Sequence, residues 1–416
     1  MMPLQSSIEL LSNSGQAQLK LAKIWQERGQ IDRAIAGYHK AIELRKHLVL
    51  PYIELGKLLL AKGDLSEAFS TSNQAININP NYSEVHKNLV NSLLAQNKKD
   101  QLLDYYKLTR KDEYKININS ADILCFVVVR NESLRLPYFL AYYREKGIRK
   151  FFIIDNNSTD ETANYLLKQP DVYLWQSEDS YQRSNFGTAW IEVLLRIYEI
   201  NNWCLIVDAD EIFYYPDCEQ KTIIDLCQQL DHQQKKAFKT ILLDMYSDKP
   251  IRDTYYEKGQ NFLDACPYFD RKFYHKTCQE NEDPYNPYHN QKAYFGGMRQ
   301  RVFGEKGEYY LSKVPLIKYN PEVIIGGGQH WTNFESQEIA NDSGCLLHFK
   351  YFHSFGNYVR EEVVRKQHCG GAMQYQEYAK EMDKNEELIL YNPKYSVKLE
   401  NSQQLVNLGV MEVEIN

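Results

Sequence analysis

No two cysteines in this sequence stand in Cys-x-x-Cys spacing. The eight present, Cys125, Cys204, Cys218, Cys227, Cys266, Cys278, Cys345 and Cys369, are scattered. That pattern fits reduced thiols better than a disulfide frame or a zinc site. No run approaches the roughly 18 apolar residues that a membrane-spanning helix needs. The opening MMPLQSSIELLSNSGQ lacks a basic region followed by an apolar run, so no secretory leader is expected. Basic charge is not in excess either. The 49 Lys and Arg stand against 55 Asp and Glu, a net −6, which argues against nucleic acid as the main partner. These absences point to a cytoplasmic protein, free or peripheral at the inner face of a membrane.

Tyrosine is abundant, with 32 copies among 416 residues. A ring with a hydroxyl suits a cleft that stacks on sugars and hydrogen-bonds polyols, although a compositional bias of the host gives the same count. The length suggests two domains. Charge is uneven: through residue 115 there are about 16 basic against 12 acidic residues, leaving the remainder near −10.

The first third repeats. LKLAKIWQERGQIDRAIAGYHKAI realigns onto YIELGKLLLAKGDLSEAFSTSNQAI with a shift of 34. Leu21 falls on Leu55, Ala22 on Gly56, Gly29 on Gly63, Ala34 on Ala68, Ala41 on Ala75 and Ile42 on Ile76, and Pro80 closes the second unit. Small residues let antiparallel helices approach, and glycine accepts the turn conformation between them. Period and pattern resemble tetratricopeptide (TPR) repeats. A third unit from Tyr82 to Leu108 keeps Leu89 but has Asn97 for the glycine and Leu102 for the alanine, as a terminal cap does. Such an array offers a surface for a protein partner or self-association, or serves only as a packed appendage. The polar LTRKDEYKININSAD (108–122) reads as the connector, giving a helical domain over 1–115, an α/β domain over 116–380 and a tail over 381–416.

From residue 121 the pattern changes. ILCFVVV (123–129), KFFIID (150–155), DVYLWQ (171–176) and WCLIVD (203–208) read as buried strands. Helices lie between them, the first capped by Ser133 and stopped by Gly147. Strand–helix alternation predicts a mostly parallel, Rossmann-like sheet with its ligand at the carboxyl strand ends. Polar residues gather there: Arg130-Asn131-Glu132, then Asp155-Asn156-Asn157-Ser158-Thr159-Asp160, then Asp208-Ala209-Asp210-Glu211. Two Asp one residue apart can aim both carboxylates at one Mg²⁺ or Mn²⁺, whose other ligands are phosphate and water. Any one of these motifs alone is more often a surface loop or a helix cap.

VVVRNE, FIIDNNSTDET and WCLIVDADEIF together resemble the glycosyltransferase family 2 superfamily, with its GT-A fold, over about residues 121–370. The resemblance implies a UDP- or GDP-sugar donor, a Mn²⁺ or Mg²⁺ ion on the Asp-x-Asp element, and inverting transfer to a hydroxyl of a glycan, a lipid-linked glycan or a protein. By motif match Asp155 contacts the nucleoside, and Arg130, Asn131, Glu132 and Asn157 complete the donor loops. Asp208 and Asp210 hold the ribose and the metal-diphosphate, both as metal ligands with Asp210 ahead of Asp208. Asn156 stands where many relatives have Asp, which leaves the nucleobase open.

Further candidates follow from charge. A departing diphosphate needs cations, supplied by Arg299 and Arg301, two apart and so on one side if extended, or by Lys313; structural salt bridges are the other reading of the two arginines. His348, ending a strand, either completes the metal shell or is a core histidine. His330, on the GGGQHW turn, reads as a metal or acceptor ligand. Inversion requires a base for the acceptor hydroxyl. Asp244, ending the strand KTILLD, is the first choice, with Glu211 and Asp179 behind it. The alternative is a TPR scaffold carrying an inactive glycosyltransferase-like domain. The segment after His348 reads as helical, and the tail as strand-bearing.

Overall fold

The computed structural model describes residues 14–272, 274–278, 292–304 and 309–414; for 274–278, 292 and 369 it describes the backbone alone. Glu305, in the GGMRQRVFGE stretch, lies outside the described residues, as do Met1 to Asn13. The chain forms two compact units, Met1–Tyr106 with Gln182–Tyr198, and Lys107–Tyr181 with Glu199–Asn416.

The first unit is built from helices α1 (Gly15–Glu27), α2 (Ile31–Leu44), α3 (Val49–Lys62), α4 (Leu65–Ile78), α5 (Ser83–Ala95) and α6 (Lys99–Tyr105). They pair consecutively, as the 34-residue period requires. Ala22, Ala34, Ala41, Ala68 and Ala75 have no exposed surface, so each small side chain marks a close helix contact. A Cβ at Gly37 would lie 2.9 Å from both Ala22 and the Trp25 ring. Gly29 and Gly63 turn the chain at φ 72° and 87°. In the third hairpin Asn97 takes the same left-handed conformation at φ 56°, which asparagine tolerates better than other side chains.

The first unit also takes in a helix from much later in the chain. After α7 (Leu136–Glu145) and α8 (Thr162–Leu166) comes α9 (Thr188–Ile197), which packs on α5 and α6. Arg196 donates to Asn91 at 2.8 Å, Asn185 donates to Ser83 at 3.0 Å, and Trp190 is fully buried. Every residue from Thr188 to Leu195 is buried, as in a helix that is covered all round.

The second unit holds a nine-stranded sheet in the order β1-β4-β3-β2-β5-β11-β7-β12-β6. These are β1 (Leu108–Arg110), β2 (Ile123–Val129), β3 (Lys150–Asp155), β4 (Val172–Ser177), β5 (Trp203–Ile206), β6 (Glu211–Tyr214), β7 (Ala237–Asp244), β11 (Ser312–Lys318) and β12 (Ile339–His348). Strands β4, β3, β2 and β5 are parallel to their neighbours in that block, and β7 is parallel to β12. The pairings β1·β4, β5·β11, β11·β7 and β12·β6 are antiparallel. The sheet is therefore mixed, and the mostly parallel expectation describes only its first block. Insertion of β11 between β5 and β7 reverses the direction. The polar connector 108–122 likewise supplies an edge strand, β1, whose Arg110 lies 5.5 Å over the Trp175 ring.

Shorter elements complete the unit: α10 (Ile223–His232), α11 (Phe262–Ala265), β8 (Tyr268–Asp270), β9 (Tyr274–Cys278), β10 (Lys292–Gly296), α12 (Gly297–Phe303), α13 (Phe355–Arg365), α14 (Cys369–Lys384), β13 (Ser396–Lys398) and α15 (Ser402–Asn407). The main core fills one side of the sheet with Cys125, Val127, Phe139, Tyr143, Leu205 and Phe213 among its members. Tyr351, Phe355, Tyr375 and Tyr378 belong to a second cluster, which joins α12 to α13 and α14. Ser133 does not cap α7; its N–H donates to Asp160 at 3.2 Å, and the helix starts at Leu136 with Pro137 in its first turn. The six cysteines with described side chains are all buried and free. Among the described residues no helix is long and apolar enough to cross a membrane.

Candidate active site at the carboxyl strand ends

Strands β2 and β3 end side by side, and the loops that follow are tied to each other. Arg130 donates to the carbonyls of Asn156 at 2.9 Å and Asn157 at 2.6 Å. The Asn131 amide accepts from Thr159 N–H at 2.8 Å, and Asn131 N–H donates to the Ser158 hydroxyl at 2.9 Å. Asn131 and Asn157 both hold left-handed backbone, at φ 55° and 57°. Glu132 N–H donates to Thr162, while its carboxylate pairs with Arg135 at 3.0 Å. Arg130 and Asn131 thus spend their polar atoms shaping the loops.

Asp155 is buried at the base of this turn and accepts from Ser158 N–H at 3.2 Å and from the Ser158 hydroxyl. Burial pushes its carboxyl up, against the pull of those hydrogen bonds. Asn156 donates to the carbonyls of Ser177 and Asp179, fixing the end of β4.

Past β5 the chain turns through Asp208-Ala209-Asp210 into β6. Glu211 N–H closes that turn on the Asp208 carbonyl at 3.0 Å, and the Glu211 carboxylate accepts from Asp208 N–H at 3.0 Å. Lys313 reaches in from β11 and binds Asp208 at 3.0 Å and Glu211 at 2.5 Å. Burial lowers the Lys313 ammonium, but these two carboxylates outweigh it and raise it overall. The Asp208 side chain is 42% exposed against 1% for Glu211. Glu211, expected as a base, is therefore sealed in an ion pair, and Asp208 is the carboxylate of the turn that opens on solvent.

The end of β12 meets the end of β7 in register, His348 opposite Asp244. His348 Nδ1 lies 2.8 Å from Asp244 Oδ1, and its Nε2 lies 3.3 Å from Asp210 Oδ2. The second Asp244 oxygen accepts from Arg299 Nε at 2.8 Å. Burial works to raise Asp210, yet the His348 charge and hydrogen bond, with Arg135 and Lys350, hold it well below the usual carboxylate range. Burial works to lower His348, yet Asp210 and Asp244 raise it. Asp244 was expected to be the acceptor's base. Both its oxygens are engaged and it is buried, so the geometry gives it another task, holding the His348 ring.

The two arginines also part company. Residues 297–303 are helical rather than extended, which turns Arg301 away from Arg299. Arg301 binds Asp270 at 2.6 Å and the Leu390 carbonyl at 2.7 Å, outside the Asp210 cluster. His330 Nδ1 lies 2.8 Å from the Ser312 carbonyl, its ring set edge-on to Tyr310. Burial and the neighbouring Lys313 charge push it down to about 4. It lines a cavity of about 220 Å³ together with Ser312, Lys313 and Tyr310. Asp179, the remaining base candidate, sits in the turn after β4 with Oδ1 accepting from Ser180 N–H at 2.9 Å.

Lys350 and Glu361 escaped the sequence, whereas Glu362, Gln367 and His368 were legible there as residues that either reach an acceptor or line a charged helical face. Lys350 is half-buried two residues past His348, donates to the Tyr375 hydroxyl at 2.8 Å, and is pushed by burial down to about 8. Glu361 pairs with Arg130 at 3.2 Å. Buried Glu362 binds Arg365 and, at 3.2 Å, His368, while Gln367 accepts from Ser180 at 2.6 Å. The end of α13 thereby docks on the loops after β3 and β4. No local signal in REEVVRK marks these pairings.

Among the described residues no three His, Cys, Asp or Glu side chains form a ready-made metal cage. No family model matches the chain, and no curated protein does. Among solved structures it is similar to YrrB, a TPR protein with an unusual peptide-binding site, at 20% identity and TM-score 0.23 over 25% of this chain and 54% of that one. It is similar to MamA at 20% identity and TM-score 0.22, over 23% and 56%. An O-GlcNAc transferase mutant of Thermobaculum terrenum shares 18% identity at TM-score 0.20, over 47% of this chain and 39% of that one. The chain spans about half the length of the TPR structures it matches. Likenesses this partial say nothing about its activity.

Proposed function

We propose that the second unit is a metal-dependent, inverting glycosyltransferase using a nucleoside-diphosphate sugar. The observation that carries this reading is the convergence of Asp210, His348 and Asp244 on one chain of contacts, beside the Lys313–Asp208 pair, at the carboxyl ends of β5, β7 and β12.

Its donor atoms suit Mn²⁺ or Mg²⁺. Asp244 takes His348 Nδ1, which leaves Nε2 beside the Asp210 carboxylate, two donors that one ion could share. Two protein ligands are too few for an enclosed metal cage but fit an ion that takes its remaining oxygens from a diphosphate and water. Such an ion supplies neutralisation of the charge on the leaving diphosphate. Asp155 is assigned to the nucleoside, Asp208 to the ribose or acceptor side, and Lys313 to the geometry of the Asp-x-Asp turn. In the transfer the acceptor oxygen attacks the anomeric carbon. The bond to the diphosphate breaks, its electron pair leaves with the phosphate, and the hydroxyl proton passes to a base. The TPR unit is assigned to a protein partner or to self-association.

Release of nucleoside diphosphate from UDP- and GDP-sugars, with and without Mn²⁺, tests the reading. Metal-dependent release that Asp210→Asn abolishes supports it. Absence of release and of nucleotide binding would favour a TPR scaffold with an inactive transferase-like unit.

A further inference from the structure

Lys350 has no place in that scheme, and its surroundings are unlike those of a structural lysine. Its Nζ lies 4.5 Å from the centre of the Tyr375 ring, 5.7 Å from Tyr378 and 5.9 Å from Tyr358. Of its three N–H donors, one meets the Tyr375 hydroxyl at 2.8 Å. Among the described residues no carboxylate is paired with it, whereas Lys313, Arg299 and Arg301 each bind one or two.

A half-buried ammonium with no carboxylate in contact is costly unless an anion arrives to complete it. The three rings flank its head group and limit its hydration, while the hydroxyl at 2.8 Å aims it. On the glycosyltransferase reading, the anion that comes beside Asp210 is a diphosphate. We infer that Lys350 is the binding residue that receives the diphosphate of the donor, and that Tyr375 holds it in place. When the anomeric bond breaks and the electron pair stays on phosphate oxygen, this ammonium faces the added charge with no proton moved.

The test measures affinity of the full chain, with Mn²⁺ present, for a nucleoside, its monophosphate and its diphosphate. Wild type is expected to bind the diphosphate far more tightly than the nucleoside. Lys350→Met should lose about 10- to 100-fold in diphosphate affinity, the weight of one charge-assisted contact, with nucleoside affinity unchanged. Lys350→Arg should restore most of it. Tyr375→Phe keeps the ring but loses the hydroxyl, and should cost a few-fold, which covers the case in which Lys350→Met does not fold. Unchanged diphosphate preference in Lys350→Met and Tyr375→Phe overturns the inference while the transferase reading stands. A wild type that binds no nucleotide overturns that reading and the inference with it.

Discussion

His348 is held at Nδ1 by Asp244, 2.8 Å away, although the two residues lie 104 positions apart in sequence. They are register partners on the parallel strands β7 and β12, so the sheet itself sets the distance. A ring fixed at one nitrogen presents the other in a defined direction, here toward Asp210 at 3.3 Å.

Removing Asp244 should hurt in two separable ways. Asp244→Ala leaves Arg299 and His348 buried without their carboxylate and should cost about 3–5 kcal/mol of stability, read by denaturant unfolding. Asp244→Asn, nearly isosteric, should weaken Mn²⁺ binding about 10- to 100-fold while nucleoside affinity holds. Equal metal affinity in Asp244→Asn and wild type would remove the orienting role.

Lys313 offers a test through pH. Burial raises Glu211 despite the Lys313 charge, so its folded pKa lies above the unfolded value. An acid raised on folding makes stability fall as pH rises above its unfolded value. Lys313→Met removes the opposing charge, so its stability should decline more steeply with pH than wild type above about pH 4.3. Parallel pH profiles for the two proteins would contradict the pairing.

His330 has the opposite sign. Its folded pKa of about 4 lies below the unfolded value, so the unfolded chain binds the proton first as pH falls. Stability should drop from about pH 6.5 toward pH 4, and His330→Asn should flatten that slope. Chemical denaturation at half-unit pH steps resolves the difference.

In the helical unit Gly63 stands at φ 87° with open space around its missing Cβ. Gly63→Ala should therefore cost about 1–2 kcal/mol from backbone strain alone. Asn97→Gly at the matching turn should be neutral or slightly stabilising. Thermal unfolding of both variants reads the comparison.

What the sequence made legible was local. The β-branched runs at 123–129 and 150–155 became strands with those bounds, and the strands ending at Asp244 and His348 end there. The 34-residue period is likewise local, because each hairpin buries its small residues against the next. Pairings over long range left no such trace. Strand β11 enters the sheet between β5 and β7, a choice that hydrophobic pattern does not encode. The helix Thr188–Ile197 is apolar but for Thr188, Glu192 and Arg196, which signals burial but not its burial among helices a hundred residues earlier. Arg299 and Arg301 sit in a seven-residue helix that begins at the second of two glycines, too short for periodicity to show. Asp155, Asp208, Asp210 and His348 were legible as chemistry. The two contacts that commit Asp244 were not, since both partners come from distant segments.

The central claim is a nucleotide site that depends on metal held at Asp210. Thermal stability against UDP, GDP and their sugars, each with and without Mn²⁺, tests it most directly in wild type and Asp210→Asn. A nucleotide at 100 times its dissociation constant should add about 2.7 kcal/mol, and only when Mn²⁺ is present. The account predicts that gain for one nucleoside diphosphate in wild type and its loss in Asp210→Asn. No gain with any nucleotide, or the same gain in both proteins, would contradict it.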